Sequence, residues 1–364
     1  MSKEIQQIIE KLKSLAPDEK AILATVVDVE GSGYRRPGAR MLIDRNGYGI
    51  GTVSGGCLEA DVLERAKKVL QTGESTVITY DTTKDENSVF GLGMGCRGIV
   101  RILLETISKD SFLFNYISDM ITDRMTFSLA TLIKSDDEKK LGRRLYFDKY
   151  GAAASEFGDD ETTELLSTVR GVFCDQSTGI QNLSFGEFFT ETIKPSLKLM
   201  LFGAGYDALP LVKFAKELGW VISVVDHRPA YANAERLPAA DEILAANVQD
   251  LRDEYFEDEN AVAVIMTHNY DRDRVILPRL LKSKCLYVGA LGPKKRTEKI
   301  LAEAGETFSA EQLKILHAPV GLDIGATTPE AIALSIVAEI QAVLANREGG
   351  FLRERKGSIY TRSE

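Results

Sequence analysis

The sequence predicts an α/β protein in two parts. An N-terminal α+β domain covers residues 1–194, a C-terminal doubly wound parallel sheet covers 195–346, and a flexible tail follows over 347–364. Three observations carry this expectation. Before Lys194-Pro195, apolar runs are joined by a hairpin signal and glycine loops; after it, strand-like and helix-like segments alternate, which implies a mainly parallel sheet with helices on both faces. The stretch from Leu197 to Asp226 runs apolar segment, Gly203-Ala204-Gly205-Tyr206-Asp207-Ala208, amphipathic segment, second apolar segment and acid. That is the register of a nucleotide-binding β-α-β unit. Finally, 364 residues are enough for two or three domains with proper cores.

Composition narrows the function classes. With 44% hydrophobic and 27% charged residues and a net charge of -9, the chain reads as a soluble globular protein. The acidity argues against nucleic acid or an anionic membrane as the main partner. No apolar run approaches the ~20 residues of a membrane span, and no signal peptide is expected at the start. Cys57, Cys96, Cys174 and Cys285 are widely spaced, without CxxC pairs or zinc-site spacing, so a reduced, cytoplasmic protein is expected.

Taken in order, SKEIQQIIEKLKSL is amphipathic, with Ile5, Ile8, Ile9 and Leu12 on one helical face. Ala21–Val29 and Arg40–Asp44 read as strands, Asn46-Gly47 as a tight turn and Tyr48–Val53 as the returning strand. After Ser54-Gly55-Gly56-Cys57, the segment LEADVLERAKKVL places Leu58, Val62, Leu63, Ala66 and Leu70 on a helix face. Further strands are expected over Thr76–Tyr80, Ile99–Glu105 and Thr126–Ile133, while the pattern is least clear from 150 to 180. Beyond Pro195 come strand Leu197–Phe202, a helix to Leu218 and strand Val221–Asp226. A helix and short strand around Asp241–Leu244 follow, then strand Ala261–Thr267, a helix from Asp271, strand Cys285–Gly289 and a helix after Pro293. Thr327-Thr328-Pro329-Glu330 opens a last long helix; either threonine can cap it, and Glu330 completes a capping box if Thr327 does.

Candidate site residues fall in two groups. In the first domain, Gly55, Gly56 and Cys57 lead into a helix, whose free N–H groups attract anions and lower a thiol pKa. Gly95, Cys96 and Arg97 lie in Gly91–Gly98, a run suited to an anion-cradling nest. Cys57 and Cys96 are therefore candidate reactive thiols or soft ligands, against the alternative that each merely fills space. Arg35 and Arg36 sit in a third glycine loop and are available to an anion or simply solvated.

In the second domain, ligands are expected outside the carboxyl ends of the strands. Gly203 permits the tight turn, Gly205 lets a phosphate approach, and Asp226, 21 positions after Gly205, can accept hydrogen bonds from ribose hydroxyls. Arg228 leaves NADP-like ligands open. His268 and Asn269 follow a strand, with His268 either an acid/base or a helix cap. Gly292 precedes Lys294, Lys295 and Arg296, three cations in a first helical turn that oppose the helix dipole unless an anion binds there. Asp323, between glycines, is a candidate ligand for a cofactor or metal or the stabiliser of its own turn.

SGGCLEADV, GLGMGCRG, GAGYDALPLVKFAKELGW, VVDHRP, MTHNYDRD, YVGALGPKKR and PVGLDIGATTPEAIALSIVAEI, in that order, resemble the xanthine dehydrogenase accessory protein family (XdhC/CoxI). The resemblance implies an N-terminal XdhC/CoxI domain and a C-terminal Rossmann-like domain, commonly in a homodimer. It also implies a protein that binds the molybdenum cofactor (molybdopterin or its dinucleotide form), protects it, assists its sulfuration and delivers it to a molybdenum hydroxylase such as xanthine dehydrogenase. A sulfur donor protein would be a second partner. Cys57 and Cys96 match the family's glycine-loop thiols, and Gly203, Gly205 and Asp226 its nucleotide-fold signature. Tyr206, where histidine is expected in many relatives, and the Cys96-Arg97-Gly98 order depart from the pattern. An accessory protein is favoured over a catalyst with turnover; the alternative is an NAD(P)-dependent oxidoreductase using Asp226 on the ribose and His268 as proton donor.

Overall fold

The structure is a computed structural model that describes residues 3–81, 83, 98–148, 151, 153–175 and 178–356. The chain divides into two compact units, one ending at Pro195 and the other beginning at Ser196.

The first unit runs α1 (Lys3–Lys13), β1 (Ala21–Gly31), β2 (Arg40–Ile43), β3 (Gly49–Gly51), α2 (Glu59–Thr72), β4 (Thr76–Asp81), β5 (Gly98–Ile107) and α3 (Phe112–Thr122). It continues with β6 (Phe127–Lys134), β7 (Arg144–Asp148), β8 (Ala153–Ser155), α4 (Asp159–Asp175), β9 (Gly179–Leu183) and β10 (Gly186–Ile193). Two antiparallel five-stranded sheets result, ordered β3-β2-β1-β5-β4 and β8-β7-β6-β10-β9.

Side chains alternate between the faces of these strands, as the two-residue period of a pleated strand demands. Ile22, Ala24, Val26, Ile102 and Leu104 turn toward Val62, Ala66 and Val69 of α2. Leu132, Leu145 and Phe188 turn toward Leu165 and Val169 of α4. Between the sheets, Val27 and Leu103 meet Ile133 and Phe189, while Leu23 and Leu42 meet Leu129, Tyr146 and the apolar faces of α1 and α3.

That middle layer also holds charge. Arg40 of β2 pairs with Glu191 of β10, and Arg101 of β5 bonds Asp28 at 2.9 Å and Glu187 of β10. Arg144 of β7 takes both oxygens of Glu105 on β5, at 2.8 and 2.5 Å. Arg40, Glu191, Arg144 and Glu105 are all buried, so each charge depends on its partner for solvation.

The second unit runs β11 (Lys198–Phe202), α5 (Ala208–Glu217), β12 (Val221–Val225), β13 (Glu242–Leu244), β14 (Ala261–Ile265), α6 (Tyr270–Leu281), β15 (Tyr287–Ala290), α7 (Lys294–Glu303), α8 (Ala310–Lys314), β16 (Leu316–His317) and α9 (Pro329–Leu344). Its sheet is parallel throughout, ordered β13-β12-β11-β14-β15-β16. The order reverses between β11 and β14, as in a dinucleotide-binding Rossmann sheet. Leu211, Val212 and Ala215 of α5 pack with Ala333, Ile336 and Ile340 of α9 on one face. Ile276, Leu277 and Leu280 of α6 pack with Ile300 of α7 on the other.

Several elements differ from expectation. The helix expected ahead of Leu244 does not form: residues 227–240 are turns, because Pro229 and Pro238 interrupt the segment and the Asn233 side chain takes the carbonyls of Pro229 and Ala230 and the N–H of Arg236. The sequence pattern does not reveal α3 or β7–β10. Thr328, not Thr327, caps α9, accepting the Ala331 N–H at 3.3 Å with Pro329 in the first helical position.

Candidate functional site

In the first unit the glycine-thiol loop joins β3 to α2, and Glu59 in the first turn of α2 reaches back to brace it. Its carboxylate accepts from the Ser54 N–H at 2.8 Å, from Thr52 Oγ1 at 2.5 Å and from the Ser54 hydroxyl. Ser54 Oγ in turn accepts from the N–H groups of Gly56 and Leu58 at 3.2 and 3.1 Å. Burial alone would raise the Glu59 pKa, but the Ser54 and Thr52 bonds outweigh it and lower it. This revises the expected role of the helix end. The Gly56 and Leu58 amides meet a serine oxygen of the chain itself, and a carboxylate already stands in the first turn. What the loop offers outward is Cys57, which is exposed.

Gly55 lies under the Tyr34 ring, which a Cβ there would meet at 3.2 Å. Tyr34 also lines an open hollow of about 410 Å³ with Glu4, Arg35, Arg36 and Arg40. The structure thus brings the Arg35–Arg36 loop beside the thiol loop. Arg35 is paired with Glu4. Gly95, Cys96 and Arg97 lie outside the described residues. Cys285 behaves as core: burial pushes its thiol up to about 11.

In the second unit, Gly203 follows β11 with φ +112, and a Cβ there would stand 2.3 Å from the Met266 carbonyl oxygen. Only glycine fits that turn. The next N–H, from Ala204, donates to Asp226 Oδ2 at 2.8 Å. Asp226 Oδ1 accepts from the Arg228 N–H and Nε–H at 2.9 Å each, and Arg228 adds a 2.6 Å bond to Oδ2. Burial favours the neutral acid, but the Arg228 and Ala204 bonds prevail and hold the pKa at about 2. The acid expected to receive ribose hydroxyls is therefore 2% exposed and already engaged by four donor groups. Arg228 presents its guanidinium instead.

The start of α5 also differs from a bare phosphate site. The Asp207 carboxylate lies so close to Gly205 that a Cβ there would meet it at 2.7 Å. Asp207 Oδ2 is 2.7 Å from Nε2 of His268. His268 has a left-handed backbone, φ 55, at the end of β14. It does not cap α6; Asn269 does, accepting the Arg272 N–H at 3.1 Å.

The cations in the first turn of α7 are only partly available. Arg296 bonds buried Asp273 at 2.5 Å, and Asp273 also accepts from Thr267, so this guanidinium ties α7 to α6. For Arg296, the partner that offsets a cation at this helix start is the internal carboxylate of Asp273, not an external anion. Lys295 is exposed, beyond Gly292. Asp323 is exposed, in a loop fastened to α9 by the Gly321 N–H on Glu339 (2.9 Å) and the Ser335 hydroxyl on the Leu322 carbonyl (2.6 Å). Sequence reasoning missed Glu339, which also accepts from Tyr287 and lies 3.9 Å from His317. No group of three metal-ligating side chains occurs among the described residues, and no helix among them is long and apolar enough to cross a membrane.

Residues 199–340 match the family described as the XdhC Rossmann domain, and residues 14–81 match the XdhC and CoxI family. The chain is 33% identical over 327 residues to a probable xanthine dehydrogenase subunit of Bacillus subtilis (strain 168), covering 90% of this chain and 94% of that one. It is 23% identical over 338 residues to the molybdenum cofactor insertion chaperone PaoD of Escherichia coli (strain K12), covering 93% and 87% respectively. Among solved structures, a xanthine dehydrogenase from Bacillus halodurans superposes with a TM-score of 0.79 at 30% identity, covering 96% of this chain and 97% of that chain.

Proposed function

This chain belongs to the XdhC and CoxI family, and on that premise we propose that it is a molybdenum-cofactor chaperone. It binds the cofactor in the cytoplasm as a homodimer, assists its sulfuration with a sulfur donor protein, and delivers it to a molybdenum hydroxylase client such as a xanthine dehydrogenase. The relatives' names support cofactor handling. The observation that carries the reading here is the exposed Cys57 thiol on a loop braced by Glu59 and Ser54.

The donor set fits the group. A thiolate is a soft donor suited to a molybdenum centre or to sulfur transfer, and the arginine-lined hollow beside Tyr34 suits a phosphate. When bound, the cofactor supplies a metal with exchangeable positions. Cys57 would hold or hand on sulfur, with Cys96 as its proposed second thiol, while Arg35 and Arg36 orient the anionic end.

The test is anaerobic titration with molybdopterin. Wild type should bind, and Cys57→Ser combined with Cys96→Ser should bind at least tenfold more weakly, since losing a charged or metal-directed contact removes roughly 1.4 kcal/mol or more. Unchanged binding by the double variant would sink the thiol assignment. Co-purification of a large molybdenum hydroxylase tests delivery. The alternative reading, an NAD(P)-dependent oxidoreductase, assigns proton transfer to His268. Turnover of NAD(P)H with a carbonyl substrate, lost in His268→Gln, is the result that would favour it.

A further inference from the structure

The cleft at the carboxyl ends of β11, β12 and β14 is lined by Gly203, Asp226, His227, Arg228, Asn247 and Arg272 among others. In a sheet of this order, the acid after the second strand marks where a bound ribose lies. Here the chain has altered that position. Asp226 has its oxygens turned inward to the Ala204 and Arg228 donors, and only 2% of its side chain is exposed, against 39% for Arg228. A ribose hydroxyl arriving there meets a guanidinium, not a free carboxylate.

The charges around the cleft point the same way. Arg272 comes from α6, donates to Asn247 at 3.2 Å and pairs with no carboxylate among the described residues. His227 contributes a ring nitrogen 3.2 Å from Asp226. With Asp226 neutralised by Arg228, Arg272 leaves the cleft net positive. Arg228 also lies over Tyr231, its central carbon 3.9 Å from the ring centre, with that of Arg236 at 4.8 Å. A planar cation fixed on two sides is pre-oriented for two parallel bonds to a phosphate. At the opposite rim, Asp207 stands over Gly205, where a phosphate on the 5′ side would lie. A carboxylate thus stands at the helix end, and two guanidiniums stand on the ribose side.

We infer that the second unit binds a ribonucleotide whose ribose carries a phosphomonoester, held by Arg228 and Arg272 at the end of β12. This ligand is distinct from the molybdenum cargo and requires no redox turnover. It goes beyond the chaperone reading and does not depend on it.

The test uses positional isomers of equal charge on the full-length chain. By calorimetry, 2′-AMP should bind roughly tenfold or more tightly than 5′-AMP, the effect of about one good charge-assisted bond. Arg228→Ala should bring the two isomers to parity, because the guanidinium is gone and Asp226 is released toward ribose hydroxyls. Arg272→Gln keeps a polar group beside Asn247 and should weaken 2′-AMP several-fold, so the test survives if Arg228→Ala does not fold.

A second readout is the His227 ring. Burial, then the Arg272 charge, lowers its pKa, with Arg228 adding to this and Asp226 opposing. A phosphate seated among these groups should raise that pKa, so the His227 ring followed by NMR should titrate at higher pH with 2′-AMP bound than without it. Equal affinity for the two isomers, inorganic phosphate binding as well as 2′-AMP, or an undiminished preference in Arg228→Ala and Arg272→Gln would overturn the assignment. No molybdenum compound enters the experiment, so its failure leaves the chaperone reading standing, and the converse holds for the molybdopterin titration.

Discussion

Asp226 illustrates how one side chain can serve position and fold at once. Its carboxylate closes the β11 turn through the Ala204 N–H and fixes Arg228, and its pKa of about 2 lies below the usual carboxylate value. A depressed acid contributes stability that is present above the unfolded pKa and lost as pH falls through the folded one. Asp226→Asn should therefore lower unfolding stability at pH 7 by about 2 kcal/mol. Urea titrations should show that difference shrinking below pH 4 and vanishing only below about pH 2. The place of Asp226 is legible from the glycine spacing; its engagement by Arg228 is not. One residue separates them in the chain, but whether a nearby arginine faces an acid or a ligand depends on the turn geometry of residues 227–240. Arg296 shows the same at longer range, since its partner Asp273 lies 23 residues away. Cys57 is legible as a candidate thiol, whereas its exposure and the inward use of its loop amides, set by the Ser54–Glu59 bonds, are not.

Whole elements are readable where period and punctuation agree. α1, β1 and α2 follow their apolar patterns, and the alternating second half yields the parallel sheet. α3 escapes because FLFNYISDMIT lacks the punctuation of a helix: no acid in its first turn, no base in its last and no side-chain cap from Ser111. β9 escapes because GIQNL is half-buried and lacks a clean alternation. For α9, the cap is a local matter with a local cost. Thr328→Ala removes the bond to the Ala331 N–H and should destabilise the second unit by about 1 kcal/mol. Thr327→Ala should be close to neutral, and thermal melts of the pair distinguish which threonine caps.

Across the whole molecule, each unit encloses its own core, and Trp220, the single tryptophan, is buried in the second. Fluorescence therefore reports on that unit, while circular dichroism reports on both. Arg144→Met strands Glu105 as a lone charge between the sheets of the first unit, an effect on the order of 3–5 kcal/mol. The expected result is an earlier circular dichroism transition in urea with an unmoved Trp220 transition. Coincident shifts in both signals would mean that the units melt as one. Replacing Glu105 by Leu in the same chain should restore much of the loss.

The charged layer between the two sheets has a consequence for assembly of the first unit. Strand faces swap with every single-residue slip. A one-residue slip of β2, β5 or β7 within its own sheet would turn Arg40, Arg101 or Arg144 away from the layer between the sheets and leave Glu191, Glu187 or Glu105 without its counterion. The cost of such a slip falls on stranded buried charges, so the three pairs separate right from wrong alignments more than they stabilise the right one.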